Sequence, residues 1–147
     1  LACETEVNAA TFSTSSLDPK WGPIDLVERT LVGTKISFTS PNTINLKPGN
    51  YVVNYTLMGN PSGINSEIVL VGLDVNGLSI PETTLGSSSL GTTNCYPRAT
   101  GSYSLSISAN STLQLSARTN VLYDVPSANS TLKATNAQTA QITILEI

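Results

Sequence analysis

The stretch GSYSLSISANSTLQLSART, residues 101–119, alternates apolar and small polar side chains on both sides of a short turn. Leu105 and Ile107 fall on one face of its first half, with serines on the other face, and Leu113 begins the same alternation in its second half. An alternation of period two predicts strands that have one buried side and one side in water. Because only residues 109–111 separate the two halves, we expect them to form a β-hairpin.

The same alternation recurs along the chain and predicts an all-β protein. No long window shows the 3.6-residue period of a helix, and turns rich in Pro, Gly and Asn recur at short intervals. The run SEIVLVGLDV, residues 66–75, is apolar on both faces, which is typical of a central strand covered on two sides. We therefore expect an antiparallel jelly-roll sandwich that occupies residues 1–147 as one domain. About ten strands are predicted, over residues 5–13, 24–31, 34–39, 43–47, 50–58, 66–75, 78–84, 98–108, 112–119 and 139–147.

Two segments interrupt this rhythm. Residues 85–97 are small and polar, and residues 120–138 form a long connection in which a short extra strand is expected near residues 131–134. Irregular segments of this length in a compact domain commonly carry function. We therefore expect binding side chains to lie in these two segments.

The composition favours a β-rich protein presented outside the cell. Only 12% of the residues are charged, against roughly 25% in an average soluble protein, so the polar surface must come mainly from 19 Ser, 19 Thr and 13 Asn. The net charge of −3 and the scattered basic residues argue against a nucleic-acid partner, which requires clustered Lys and Arg. No apolar run reaches the roughly 18 residues of a membrane-spanning helix, so no membrane insertion is expected.

The chain offers few of the groups that catalysis and metal binding require. It has no His and no Gly-x-Ser-x-Gly motif, so Ser-His-Asp and Cys-His arrangements cannot be built. Of its carboxylates only Asp124 has an aromatic neighbour in the sequence, Tyr123, so the aromatic lining typical of a sugar-cleaving site is not indicated. We expect no enzymatic activity, no cofactor and no metal site.

Two cysteines leave two alternatives open. Cys3 and Cys95 are far apart in the sequence, and in an exported protein they could form one disulfide, within a chain or between chains. Two free thiols are the other alternative.

The segment Asp74-Val75-Asn76-Gly77 has two interpretations. Asn-Gly between two alternating runs is a strong signal for a two-residue hairpin turn, because both residues tolerate positive φ. A calcium loop needs five or more oxygen ligands close together, and only Asp74 and Asn76 supply side chains here. The hairpin interpretation is therefore favoured.

Aromatic and basic residues in irregular segments are the candidate ligand-binding groups, because such pairs suit carbohydrate or protein recognition. These candidates are Tyr96, Arg98, Arg118, Tyr123 and Lys133. Trp21 lies between turn residues and could stack on a sugar or pack against a neighbouring subunit. Packing is the favoured interpretation of this indole.

Several motifs occur in the order found in a known superfamily. KPGNYVVNY, residues 47–55, resembles the opening of a strand in the complement-head and tumour-necrosis-factor-like jelly rolls. VNGLSIP, residues 75–81, followed by GSSS, residues 86–89, is similar to the heads of bacterial collagen-like surface proteins, including the exosporium glycoprotein of spores. The resemblance covers residues 34–147.

The resemblance implies a homotrimeric head on a collagen-like stalk, extracellular and located on a bacterial cell or spore surface. Its functions would be trimerisation and adhesion, with a host glycan or a host surface protein as a further partner. A three-fold partner can bury an apolar face that a small jelly roll leaves open. The residues expected at this interface are Tyr51, Tyr55, Tyr103, Leu145 and Ile147.

Two other functions remain open from the sequence. One is a lectin-like or glycosaminoglycan-binding module on the same fold, which would use the aromatic and basic residues named above. The other is the receptor-binding tip of a phage or viral fibre, which shares the trimeric β-rich style.

Overall fold

The structure, a computed structural model, describes residues 2–5, 21–58, 67–89, 98–119 and 140–147. These residues form strands and one short 3₁₀ turn, and no α-helix occurs among them. None of the described segments supplies a helix with the length and apolar character needed to cross a bilayer. The strands are β1 (Ala2–Thr5), β2 (Gly22–Pro23), β3 (Val27–Thr30), β4 (Ile36–Thr39), β5 (Thr43–Leu46), β6 (Gly49–Met58), β7 (Glu67–Val75), β8 (Leu78–Ser79), β9 (Leu85–Ser89), β10 (Arg98–Ile107), β11 (Ser111–Thr119) and β12 (Ala140–Glu146).

The strands form two antiparallel sheets that pack face to face. Sheet 1 has the order β10-β6-β12-β1-β3. Sheet 2 has the order β4-β5-β11-β7-β8, with β2 also paired to β11 and β9 also paired to β7. Their inner faces share one hydrophobic core that includes Val53 and Ile144 of sheet 1 and Ile44 and Leu73 of sheet 2. The protein is therefore an all-β antiparallel sandwich, as the alternating pattern predicted.

The segment 101–119 forms an arch between the sheets, and the predicted hairpin is wrong. β10 pairs with β6 in sheet 1, whereas β11 pairs with β5 and β7 in sheet 2. Each strand has only one apolar face, and Leu105 and Leu113 are buried in the same core from opposite sheets. An arch lets the two apolar faces meet across the core, which a flat hairpin cannot do.

Only residues 27–30 of the predicted strand 24–31 are a strand, β3, which pairs with β1 in sheet 1. β2 precedes the predicted range and pairs with β11 in sheet 2. Between them Ile24 and Leu26 are buried, and their N–H groups donate to Leu115 O at 2.8 Å and Pro41 O at 2.7 Å. Single hydrogen bonds to β11 and to the β4–β5 turn replace the regular ladder here, because the chain is crossing from one sheet to the other.

The predicted strand 78–84 is also wrong in its extent. Only β8 is a strand, and a 3₁₀ turn follows at Pro81–Thr83. Proline has no N–H group to donate to a ladder, which ends the strand. The chain resumes as β9 inside the segment predicted to be irregular, where its small side chains pair with β7.

The remaining strand predictions agree with the structure in type and nearly in extent. The central strand predicted at 66–75 is β7, and residues 71–74 are buried on both faces of the sheet. At the N-terminus the strand occupies Ala2–Thr5, ahead of the predicted 5–13, of which residues 6–13 lie outside the described residues. The extra strand expected near residues 131–134 also lies outside them.

Asn76 and Gly77 form the predicted two-residue turn between β7 and β8. Their φ angles are 52° and 77°, and Val75 pairs directly with Leu78. Positive φ at both central residues matches the right-handed twist of the flanking strands. The Asn76 side chain also accepts a hydrogen bond from Thr112 N–H at 2.9 Å, which ties the turn to β11.

The 3₁₀ turn joins the two sheets through Thr83, which is fully buried. Its hydroxyl accepts a hydrogen bond from Leu73 N–H at 2.9 Å and donates to Ile80 O at 2.7 Å. Its carbonyl accepts a hydrogen bond from the hydroxyl of Tyr55, a residue of sheet 1. Burial raises the pKa of Tyr55, so this phenol stays a donor over the ordinary pH range.

A glycine opposite Tyr55 makes this arrangement possible. Gly101 on β10 pairs directly with Tyr55 on β6. A Cβ atom at Gly101 would lie 2.4 Å from Cζ of Tyr55 and 2.5 Å from Cδ1 of Leu85. The tyrosine ring therefore lies over the glycine on its way to Thr83, and no larger residue fits at that position.

We expect Thr83→Val to destabilise the protein by about 1–3 kcal/mol, because the Leu73 N–H would be left buried without its acceptor. Valine has nearly the same shape as threonine, so the decrease in the free energy of unfolding measures the effect of the lost hydrogen bonds. Urea denaturation followed by tryptophan fluorescence measures it. Thr83→Ser keeps the hydroxyl and is expected to retain most of the stability, and an equal loss in both variants would contradict the hydrogen-bond explanation.

Candidate binding groove

Two lysines lie opposite each other at one end of sheet 2. Ile36 pairs with Leu46 across β4 and β5, which places Lys35 and Lys47 directly opposite one another at the next position. The Lys47 N–H donates to Lys35 O at 2.9 Å. Ile36 and Leu46 point into the core, so the alternation of the strands sends the Lys47 side chain to the outer face, whereas the Lys35 ammonium group reaches Glu146 of sheet 1.

Uncharged polar residues continue this outer face across the sheet. Ser37 pairs with Asn45, Asn45 pairs with Thr112, and Thr112 is bonded to Asn76 at the hairpin turn. Together with the lysines they line a cavity of about 320 Å³, which we call the lysine groove. Its lining residues are Thr34, Lys35, Ser37, Asn45, Leu46, Lys47, Asn76, Asn110, Ser111 and Thr112.

The groove carries a positive charge. Lys35 forms an ion pair with Glu146 at the end of β12, and this hydrogen-bonded carboxylate raises the pKa of the Lys35 ammonium group. Within the described part of the chain no carboxylate pairs with Lys47. Two ammonium groups and one carboxylate therefore leave a net charge of about +1 at this end of the sheet.

The other end of the same outer face is closed by Trp21 and Asp74. The Asp74 side chain is buried and accepts hydrogen bonds from Trp21 Nε1 at 3.2 Å, Ser79 Oγ at 2.7 Å and Ser116 Oγ at 2.6 Å. The Trp21 ring lies against Gly72, where a Cβ atom would lie 3.0 Å from Cη2 of the indole. Trp21 thus packs on its own chain, and both Asp74 oxygens are occupied by protein donors.

The structure separates the candidate ligand-binding residues. Arg98 is exposed at the start of β10 in sheet 1, and Arg118 lies on β11 in sheet 2, opposite Leu70. Tyr96, Tyr123 and Lys133 lie outside the described residues, as does Cys95. Cys3 lies on β1, where it pairs with Ile142 and Glu28.

The residues expected at a trimer interface fall into two groups. Tyr51 and Tyr55 are buried in the core of a single chain, with exposures of 0% and 3%, and Tyr103 packs partly against the same core. Leu145 and Ile147 point outward from β12 and its end, with exposures of 55% and 73%. Only the second group offers an apolar surface to another molecule.

These outward residues belong to a larger exposed surface. Leu145 and Val32 line a shallow cavity of about 270 Å³, and Val32 is 79% exposed. We call Val32, Leu145 and Ile147 the terminal apolar patch. Lys35 and Glu146 line the same cavity, so their ion pair lies between the patch and the lysine groove.

The sequence carries a signal for the groove that the candidate binding residues above do not include. The strands predicted at 34–39 and 43–47 already imply a hairpin centred on residues 40–42. Pairing them in register sets Lys35 against Lys47 and Ser37 against Asn45. Ligand binding was predicted for aromatic and basic residues of the irregular segments. Ser37 and Asn45 of this hairpin lie on regular strands instead.

Comparison with known proteins finds no match: no family model matches the chain, and no curated protein matches it.

We expect Asp74→Asn to destabilise the protein by about 1.5–3 kcal/mol. In this variant an amide nitrogen, which cannot accept a hydrogen bond, replaces a carboxylate oxygen that now accepts hydrogen bonds from protein donors. Urea denaturation measures the loss, and the quenching of Trp21 fluorescence should change with it. Glu82→Gln is the matched control, since Glu82 is exposed and such surface changes usually stay within about 0.5 kcal/mol. Equal effects in the two variants would contradict the role assigned to Asp74.

Proposed function

We propose that this protein is a non-enzymatic head domain that forms a homotrimer and mediates adhesion. The proposed setting is a collagen-like filament protein on a bacterial cell or spore surface, with a jelly roll of the tumour-necrosis-factor and complement-head type. The observation that carries the proposal is the terminal apolar patch. The resemblance noted in the sequence supplies the symmetry and the setting.

The path of the chain supports the jelly-roll part of the proposal. From β5 to β6, from β6 to β7, from β9 to β10, from β10 to β11 and from β11 to β12 the chain passes from one sheet to the other. A jelly roll is a double sheet in which the chain wraps around the core in this manner. Hairpin sandwiches instead keep consecutive strands in one sheet.

The terminal apolar patch supports the trimeric part. Val32, Leu145 and Ile147 are each more than half exposed, and clustered apolar side chains mark interaction sites. β12 buries Ile142 and Ile144 in the core and turns Leu145 outward, so one strand serves both the core and the surface. The proposed interface omits Tyr51 and Tyr55, because the core of each chain already covers them.

Two observations support the non-enzymatic part. The chain has no His to act as a general base near neutral pH. The one buried carboxylate among the described residues, Asp74, is held by Trp21, Ser79 and Ser116. A carboxylate whose two oxygens both accept hydrogen bonds from the protein serves the fold.

We expect light scattering to give a solution mass near three times the 15.4 kDa of one chain. The double variant Leu145→Ser, Ile147→Ser should lower the mass to that of a monomer, because it removes apolar area from the proposed interface. Leu78→Ser is the matched control. Leu78 is 74% exposed but lies on β8 of sheet 2, away from the patch.

A monomeric mass for the unchanged chain would overturn the trimer. A trimer that survives the double variant would show that a different surface holds it. Loss of the trimer in Leu78→Ser would likewise move the interface to the hairpin turn.

A further inference from the structure

We propose that the lysine groove binds one anionic sugar residue, with its carboxylate or sulfate at Lys47 and its hydroxyl groups along Asn45 and Thr112. This inference rests on the proposed adhesion function and gives it a ligand class. It also moves the binding site away from the loop residues that the sequence favoured.

The lysine pair supplies the first argument. The Lys35 ammonium group is neutralised by Glu146, whereas the exposed ammonium group of Lys47 has no carboxylate partner in the described part of the chain. One bound anion would balance the remaining charge of about +1.

The uncharged residues supply the second argument. Amide and hydroxyl side chains from Ser37, Asn45 and Thr112 stand in one row across three strands. Such groups donate hydrogen bonds to sugar hydroxyls and accept hydrogen bonds from them. A site for a simple anion would not need these groups. The cavity of about 320 Å³ lies at the lower end of the roughly 300–1,000 Å³ typical of small-molecule sites.

The groove is also held in a fixed shape, which lowers the cost of binding. The carbonyl of Lys47 accepts a hydrogen bond from the buried Tyr51 hydroxyl at 2.7 Å, and its N–H is bonded to Lys35. Asn76 is bonded to Thr112, and the Asn45 amide donates to Thr39 Oγ1 at 2.9 Å. Regular strands therefore position Asn45 and Thr112, and two hydrogen bonds hold the Lys47 backbone just beyond the end of β5.

The charge of the groove favours an acidic sugar over a phosphate polymer as its ligand. Nucleic acids and polyphosphates bind through many clustered cations, whereas the groove has two lysines on a chain of net charge −3. A single negative group on an otherwise neutral, hydroxyl-rich molecule fits this balance. Acidic monosaccharide units at the end of a glycan have that chemistry.

An NMR titration of the ¹⁵N-labelled chain tests the proposal. The probes are the methyl glycoside of N-acetylneuraminic acid, galactose 6-sulfate, the neutral methyl glycoside of N-acetylgalactosamine, and sodium sulfate. We expect saturable shifts at the backbone amides of Asn45, Lys47 and Thr112 with at least one acidic sugar, with a Kd on the order of millimolar. The neutral sugar should give no saturable shift.

Three variants separate the contributions. Lys47→Gln should weaken binding of the acidic sugar at least tenfold, whereas Arg98→Gln, which removes a charge from sheet 1, should change it less than twofold. Asn45→Ala should weaken binding of the acidic sugar severalfold and leave any binding of sulfate unchanged.

Four results would overturn the proposal: no saturable shift with either acidic sugar, equal binding of the neutral sugar, equal losses in Lys47→Gln and Arg98→Gln, or sulfate binding as tightly as the sugar. Light scattering on the same samples keeps this test separate from the proposed function. A monomer that binds the acidic sugar would overturn the trimer alone, and a trimer without binding would overturn the groove alone.

Discussion

The structure depends on one constraint: strands that have a single apolar face, such as β10 and β11, can bury that face only between two sheets. The segment 101–119 meets this constraint by arching from sheet 1 to sheet 2. Thr83 then joins the sheets inside the core, through Leu73 of sheet 2 and Tyr55 of sheet 1. Gly101 leaves room for that tyrosine. A buried polar bridge of this kind fixes the relative position of the sheets, because each of its groups would be costly without a partner.

This arrangement determines which surfaces remain for function. With the inner faces closed, Leu145 and Ile147 at the end of β12 and Val32 between β3 and β4 remain exposed as the terminal apolar patch. On the outer face of sheet 2, Trp21 covers one end above Asp74, and the lysine groove lies open at the other end. The Lys35–Glu146 ion pair adjoins both the groove and the patch, so the proposed ligand site and the proposed subunit contact are neighbours.

The sequence predicted which side chains are buried far better than which strands pair. Alternation identifies the inward residues of segment 101–119 in either a hairpin or an arch, so it could not distinguish the two. The Asn76-Gly77 turn was predictable because its chemistry is local. Tyr51 and Tyr55 were expected at an interface, since the sequence does not reveal that one core encloses both rings. The groove depends on the register of β4 against β5, which places Lys35 opposite Lys47.

The measurement that tests the central claim most directly is a crystal structure of the chain, since it locates the subunit contact as well as counting subunits. The account predicts three copies around a three-fold axis, with Val32, Leu145 and Ile147 of each copy losing more than half of their present exposure. Copies related by no three-fold axis, or a three-fold contact that leaves these side chains in water, would contradict it.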